Sequence, residues 1–68
     1  VAKKIRELKA MLRKAGFSVR PGKGSHTVWS HAKMPGRSVT VAGKDGDDAQ
    51  KYLQKQVEQA IQEAERTP

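Results

Sequence analysis

Apolar residues recur at helical spacing in two stretches, one near each end of the chain, and neither stretch can bury its stripe alone. In residues 3–15, Ile5, Leu8, Met11, Leu12 and Ala15 fall at i, i+3, i+6, i+7 and i+10, one apolar stripe on a helix. In residues 48–65, Ala49, Leu53, Val57, Ala60, Ile61 and Ala64 repeat at helical spacing with Tyr52 beside them, and the Gln-rich remainder faces solvent. Two one-sided helices need a shared apolar surface, and the middle of the chain must supply it.

That middle alternates. Phe17-Ser18-Val19-Arg20 reads as a short strand, residues 26–32 as a second, and residues 37–42 as a third with Val39 and Val41 on one face. Pro21-Gly22-Lys23-Gly24-Ser25 and Lys33-Met34-Pro35-Gly36 interrupt them as a loop and a turn. Strands in sequence with short connections predict an antiparallel meander. Gly16 is placed to end the first helix as its C′ residue, with Lys14 in the last turn against the negative end of the dipole. Asp47 or Asp48 can cap the last helix, and Thr67 and Pro68 are expected to fray. The expected fold is α+β, a two-layer α-β-β-β-α arrangement with both helices on one face of a three-stranded antiparallel sheet. This is the element order of double-stranded-RNA-binding domains. With 68 residues there is room for a single domain, 1–68, and one small core.

Charge is divided along the chain. Residues 1–44 hold eleven of the fourteen Lys and Arg and one acid, Glu7, whereas residues 45–68 hold three basic residues and six acids. The net charge of +7 is thus about +10 on the first part and about −3 on the second, which predicts one polyanion-facing surface. Arg6, Lys9 and Arg13, at i, i+3 and i+7, form a basic ridge beside the first apolar stripe, either a solvated face or a phosphate-contacting one. The chain has no cysteine, so neither a disulfide framework nor a thiolate zinc site is available. No apolar run approaches the roughly 18 residues of a membrane span. These features lead us to expect a cytoplasmic protein with no membrane partner, monomeric when free.

The residues able to do chemistry are few. His26 and His31 lie five apart, so on a regular strand they face opposite ways, and a His-only zinc site would need three or four ligands. Neither a metal nor another cofactor is expected. Ser25 and His26 are neighbours in sequence, which is no basis for a Ser-His nucleophile. What remains is His26 at the mouth of a glycine-rich basic loop. Gly22 and Gly24 flank Lys23, Ser25 offers a hydroxyl, and Arg20 adds charge. Amides of such a loop can cradle a phosphate, and a histidine titrates in the range that proton transfer at neutral pH requires. The chemistry this suits is RNA cleavage by the substrate's own 2′-hydroxyl, with His26 as general base. The plain alternative is that His26 opens a strand and bonds a nearby backbone group. Trp29 is read as a core or partner-contacting ring in preference to a base-stacking one.

The basic helix ending in Lys14-Ala15-Gly16-Phe17, its opening Lys4-Ile5-Arg6-Glu7-Leu8, and Lys23-Gly24-Ser25-His26 at the start of the second strand resemble the HicA toxins of toxin–antitoxin systems. The similarity runs over residues 3–42 and includes the element order beyond. It implies a double-stranded-RNA-binding-like fold and a metal-independent endoribonuclease that cleaves mRNA and blocks translation. It also implies a cognate HicB antitoxin that masks the site. The family's catalytic histidine maps onto His26, with Gly24 and Ser25 as its structural neighbours. Three segments differ from the common pattern: Val41-Ala42-Gly43-Lys44-Asp45 lacks the histidine many members carry there, Asp45-Gly46-Asp47-Asp48 is unusually acidic, and the last helix is longer and richer in Gln and Glu than in many members. The competing expectation is a non-catalytic RNA-binding module of the same fold.

Overall fold

A computed structural model describes residues 3–67. Its elements are α1 (Ile5–Lys14), β1 (Ser18–Pro21), β2 (Thr27–His31), β3 (Met34–Val41) and α2 (Lys51–Arg66). The strands form one antiparallel sheet in the order β1-β2-β3. The α-β-β-β-α architecture read from the sequence is the one present. No helix among the described residues is long and apolar enough to cross a membrane.

Register divides the sheet into two faces. Val19, Trp29 and Val39 lie side by side on one face, with Val41 two residues further on. Trp29, Val39 and Val41 are buried there against Ile5, Leu8 and Leu12 of α1 and Val57, Ala60 and Ala64 of α2. The opposite face carries a row of serines, Ser18, Ser30 and Ser38, and beside it Arg20, Val28 and Thr40. Both helices therefore share one apolar face, and the other face is left polar.

The end of α1 follows from local sequence. Gly16 takes φ +95°, and its N–H donates to Arg13 O (3.0 Å) while Phe17 N–H donates to Leu12 O (3.0 Å). This is a Schellman cap, and Leu12 and Phe17 complete it as a buried apolar pair.

The start of α1 does not follow from local sequence. Lys4, at the N-cap, offers no side-chain acceptor. The loop after β3 supplies carbonyls instead: Ile5 N–H donates to Asp47 O (2.9 Å) and Arg6 N–H to Asp45 O (3.2 Å). The same loop brings Asp48 onto Lys4 and Asp45 onto Lys9. Carboxylates thus gather at the positive end of the helix dipole, where charge favours them. This corrects the expected capping. Asp47 and Asp48 serve α1, while α2 begins later, at Lys51, with Gln50 at its N-cap and no side-chain cap. Asp47 Oδ2 is engaged by Lys44 N–H (3.1 Å), which closes the loop on itself.

Three other expectations need correction. The segment Met34-Pro35-Gly36 belongs to β3, and the turn is Ala32-Lys33. Ser30 pairs with Ser38 but His31 with Met34, so Pro35, Gly36 and Arg37 have no partner on β2. The Pro-Gly signal marks a bulge on an edge strand, where the missing proline N–H is tolerated. Tyr52 is 70 % exposed and does not belong to the core. Thr67 is held, its hydroxyl donating to Glu63 O (2.8 Å), and Pro68 lies outside the described residues.

Candidate nucleic-acid interface

The β1–β2 connection is a tight turn over Lys23–His26, closed by His26 N–H donating to Lys23 O (3.0 Å). Gly24 sits at its second position with φ +59°, a conformation that L side chains rarely adopt. Gly22 N–H in turn donates to His26 O (2.9 Å). Gly22 and Lys23 together therefore oppose the single residue His26, a bulge of the kind that re-aims a side chain. A Cβ on Gly22 would stand 3.2 Å from His26 O and 3.4 Å from its Cβ, so the glycine is needed for close approach.

His26 is thus pinned through both its backbone N–H and its carbonyl, while its side chain is exposed. Among the described residues no hydrogen bond engages the ring. The local backbone contacts of His26, immediately before β2, are made by its main chain and not by its imidazole. Lys23, Gly24 and Ser25 are exposed around the turn, and Arg20 is exposed on β1 opposite Val28, two residues along from His26.

Beneath the hairpin lies a fixed support. Trp29 is fully buried, and its Nε1–H donates to Thr27 Oγ1 (2.9 Å), whose hydroxyl reaches Val41 O (3.3 Å). Thr27 follows His26 directly, so the histidine leaves from a strand end locked to β3. Burial removes Trp29 from any role in stacking a base.

His31 serves the fold. Ala15 O can only accept, so Nε2 carries the proton in their 3.1 Å contact, and Nδ1 accepts from Lys33 N–H (3.1 Å). Its ring also meets Phe17 edge-on, with centroids 5.0 Å apart. The neutral ring is used on both nitrogens to tie the end of α1 to the β2–β3 turn. Among the described residues no three of His, Asp and Glu gather as a ligand set.

The ridge on α1 has an unforeseen member. Arg6 and Arg13 are exposed and Lys9 is half-buried, and the three line a cleft of about 340 Å³ with Ala10 and Asp45. Lys9 Nζ meets Asp45 Oδ1 at 2.7 Å. The hydrogen bond and charge of Lys9, with smaller help from the charges of Arg13 and Arg6, hold the Asp45 carboxyl below its ordinary value. Arg13 also places its guanidinium over Trp29, 5.7 Å from the ring centroid. The ridge and the hairpin are therefore joined physically, through Arg13, Trp29 and Thr27, to His26. Sequence spacing shows neither link, because both join residues on different elements.

A family model described as HicA toxin of bacterial toxin-antitoxin matches residues 5–65. Neither a curated protein nor a solved structure matches the chain.

Proposed function

This chain belongs to the HicA toxin family, the toxin side of a toxin–antitoxin pair, and from that premise we propose that it is a metal-independent endoribonuclease acting on mRNA. His26 is the general base. It takes the proton of a ribose 2′-hydroxyl, the 2′-oxygen bonds to the adjacent phosphorus, and the bond from phosphorus to the 5′-oxygen breaks. The products are a 2′,3′-cyclic phosphate and a 5′-hydroxyl, the latter protonated by the imidazolium of His26 or by solvent. Lys23 and the amides of Gly24 and Ser25, which the turn does not use, face the charge that builds on the phosphoryl oxygens. Arg20, Arg6, Lys9 and Arg13 hold the strand through its phosphates. The cognate antitoxin, of HicB type, acts by covering this surface.

The single observation carrying this reading is that His26 has a fixed backbone and an unengaged, exposed ring beside a basic turn. The decisive experiment compares induced expression of the parent and His26→Ala chains, scoring growth and mRNA integrity. The variant is expected to fold and to lose both growth inhibition and cleavage. Cleavage surviving in a folded His26→Ala chain removes the mechanism, and RNA binding without cleavage by the parent leaves a binding module.

A further inference from the structure

We infer that the Asp45 carboxylate is an internal stand-in for a phosphate on the Arg6–Lys9–Arg13 cluster, displaced when RNA docks and so limiting the affinity of the domain for its polyanion. The inference rests on the reading of this face as an RNA surface and adds its regulation.

Relative exposure shows which partner lies outermost. The Lys9 side chain is 20 % exposed and that of Asp45 is 64 % exposed. The carboxylate is therefore the more accessible partner of the pair, and its Oδ1, 2.7 Å from Lys9 Nζ, makes the contact a phosphate oxygen would make there. Arg6 and Arg13 flank the same cleft. Their charges, with that of Lys9, favour the ionised Asp45, so one internal anion already draws on all three cations. Release needs no refolding. The backbone of Asp45 is held by its carbonyl at Arg6 N–H, and only the side chain has to turn away. An exposed ion pair is a weak competitor, worth at most about a fivefold factor in an equilibrium, so the carboxylate tunes binding without blocking it.

The loop holds its own control. Asp48 is exposed, pairs with Lys4 and lies off the cleft. Asp48→Asn changes net charge by the same amount as Asp45→Asn without touching the Lys9 contact.

The test measures binding of an RNA hairpin oligonucleotide to the intact chain carrying His26→Ala, which prevents cleavage, across salt from about 50 to 200 mM. Asp45→Asn is expected to tighten binding about two- to fivefold at low salt and to steepen the log–log salt slope by roughly 0.7–0.9, one more cation being free to release a counterion. Asp48→Asn should leave both near the parent. Equal gains from the two variants would reduce the effect to bulk charge and overturn the inference, as would an unchanged Asp45→Asn. Should Asp45→Asn fail to fold, the ¹³C carboxyl resonance of Asp45 in the His26→Ala chain gives the answer. Movement towards a solvated carboxylate on saturation with RNA supports displacement, and no movement overturns it. A parent that binds no RNA in a salt-dependent way would remove the RNA reading itself. That failure is distinct from the one in which it binds and Asp45 has no effect.

Discussion

Arg13 lies over Trp29, its guanidinium 5.7 Å from the ring centroid, so one cation both roofs the core and belongs to the basic ridge. Arg6 is on the same ridge, exposed, with no aromatic beneath it among the described residues. Arg13→Ala is therefore expected to cost roughly 0.5–1 kcal/mol, a fall in Tm of about 4–8 °C for each kcal/mol in a domain of this size. Arg6→Ala should leave Tm within about 2 °C of the parent. Thermal unfolding followed by circular dichroism compares the pair, and equal Tm values would deny Arg13 a structural share.

The two loop glycines should separate stability from chemistry. At Gly24 (φ +59°) nothing crowds an added Cβ, so Gly24→Asn carries only a mild conformational cost and should retain cleavage. At Gly22 an added Cβ presses on His26. Gly22→Ala is expected to lower the cleavage rate by about tenfold or more through displacement of the imidazole, with a smaller change in urea midpoint. A Gly22→Ala chain that cleaves at the parent's rate would show that the contact is relieved elsewhere.

His31 and His26 should respond in opposite ways. His31→Ala removes hydrogen bonds to Ala15 O and from Lys33 N–H and the edge contact with Phe17. The expected loss is about 2–3 kcal/mol of stability. Because His31 holds the far end of β2, cleavage per folded molecule should persist. Denaturant titration and cleavage, measured on the same preparation, check both halves, and a stable but inactive His31→Ala chain would contradict the assignment.

Asp45 should shape the acid limb of stability. Its folded-state pKa is lowered from 3.8, chiefly by Lys9, so the folded protein holds the proton less tightly than the unfolded chain. The stabilising contribution is therefore complete above that unfolded value and is lost as pH falls below it, through the folded pKa. Asp45→Asn should remove this part of the acid dependence and leave the profile at neutral pH parallel to the parent's. Urea unfolding from neutral pH down to about pH 2 reads this out; identical acid limbs would mean the pair with Lys9 does not persist in solution.

Features set by local spacing were legible before the fold was known. The α1 stripe, the Gly16 cap and the three strands come from periodicity and turn chemistry within a few residues. The turn at Gly24 and the placement of His26 beyond it belong to the same class. The start of α2 and the β2–β3 turn were misplaced for the opposite reason. Asp47 and Asp48 look like caps for the helix that follows, but α1 has no side-chain cap of its own; its open N–H groups took the carbonyls of Asp45 and Asp47, and Asp48 pairs with Lys4. Tyr52 sits beside an apolar stripe in sequence, yet it lies outside the core and is exposed.

By itself, the sequence determined two amphipathic helices, an alternating middle and a histidine on a glycine-rich basic turn, because each depends on backbone preferences and side-chain period over a short span. Only the tertiary structure decided that Trp29 is buried under Arg13, that His31 is committed to Ala15 and Lys33, and that Asp45 rests on Lys9. Those pairings join different elements, Lys9 and Asp45 being 36 positions apart in the sequence. They exist because the helices must cover a single face of the sheet, and packing brings the acidic loop to the positive end of α1.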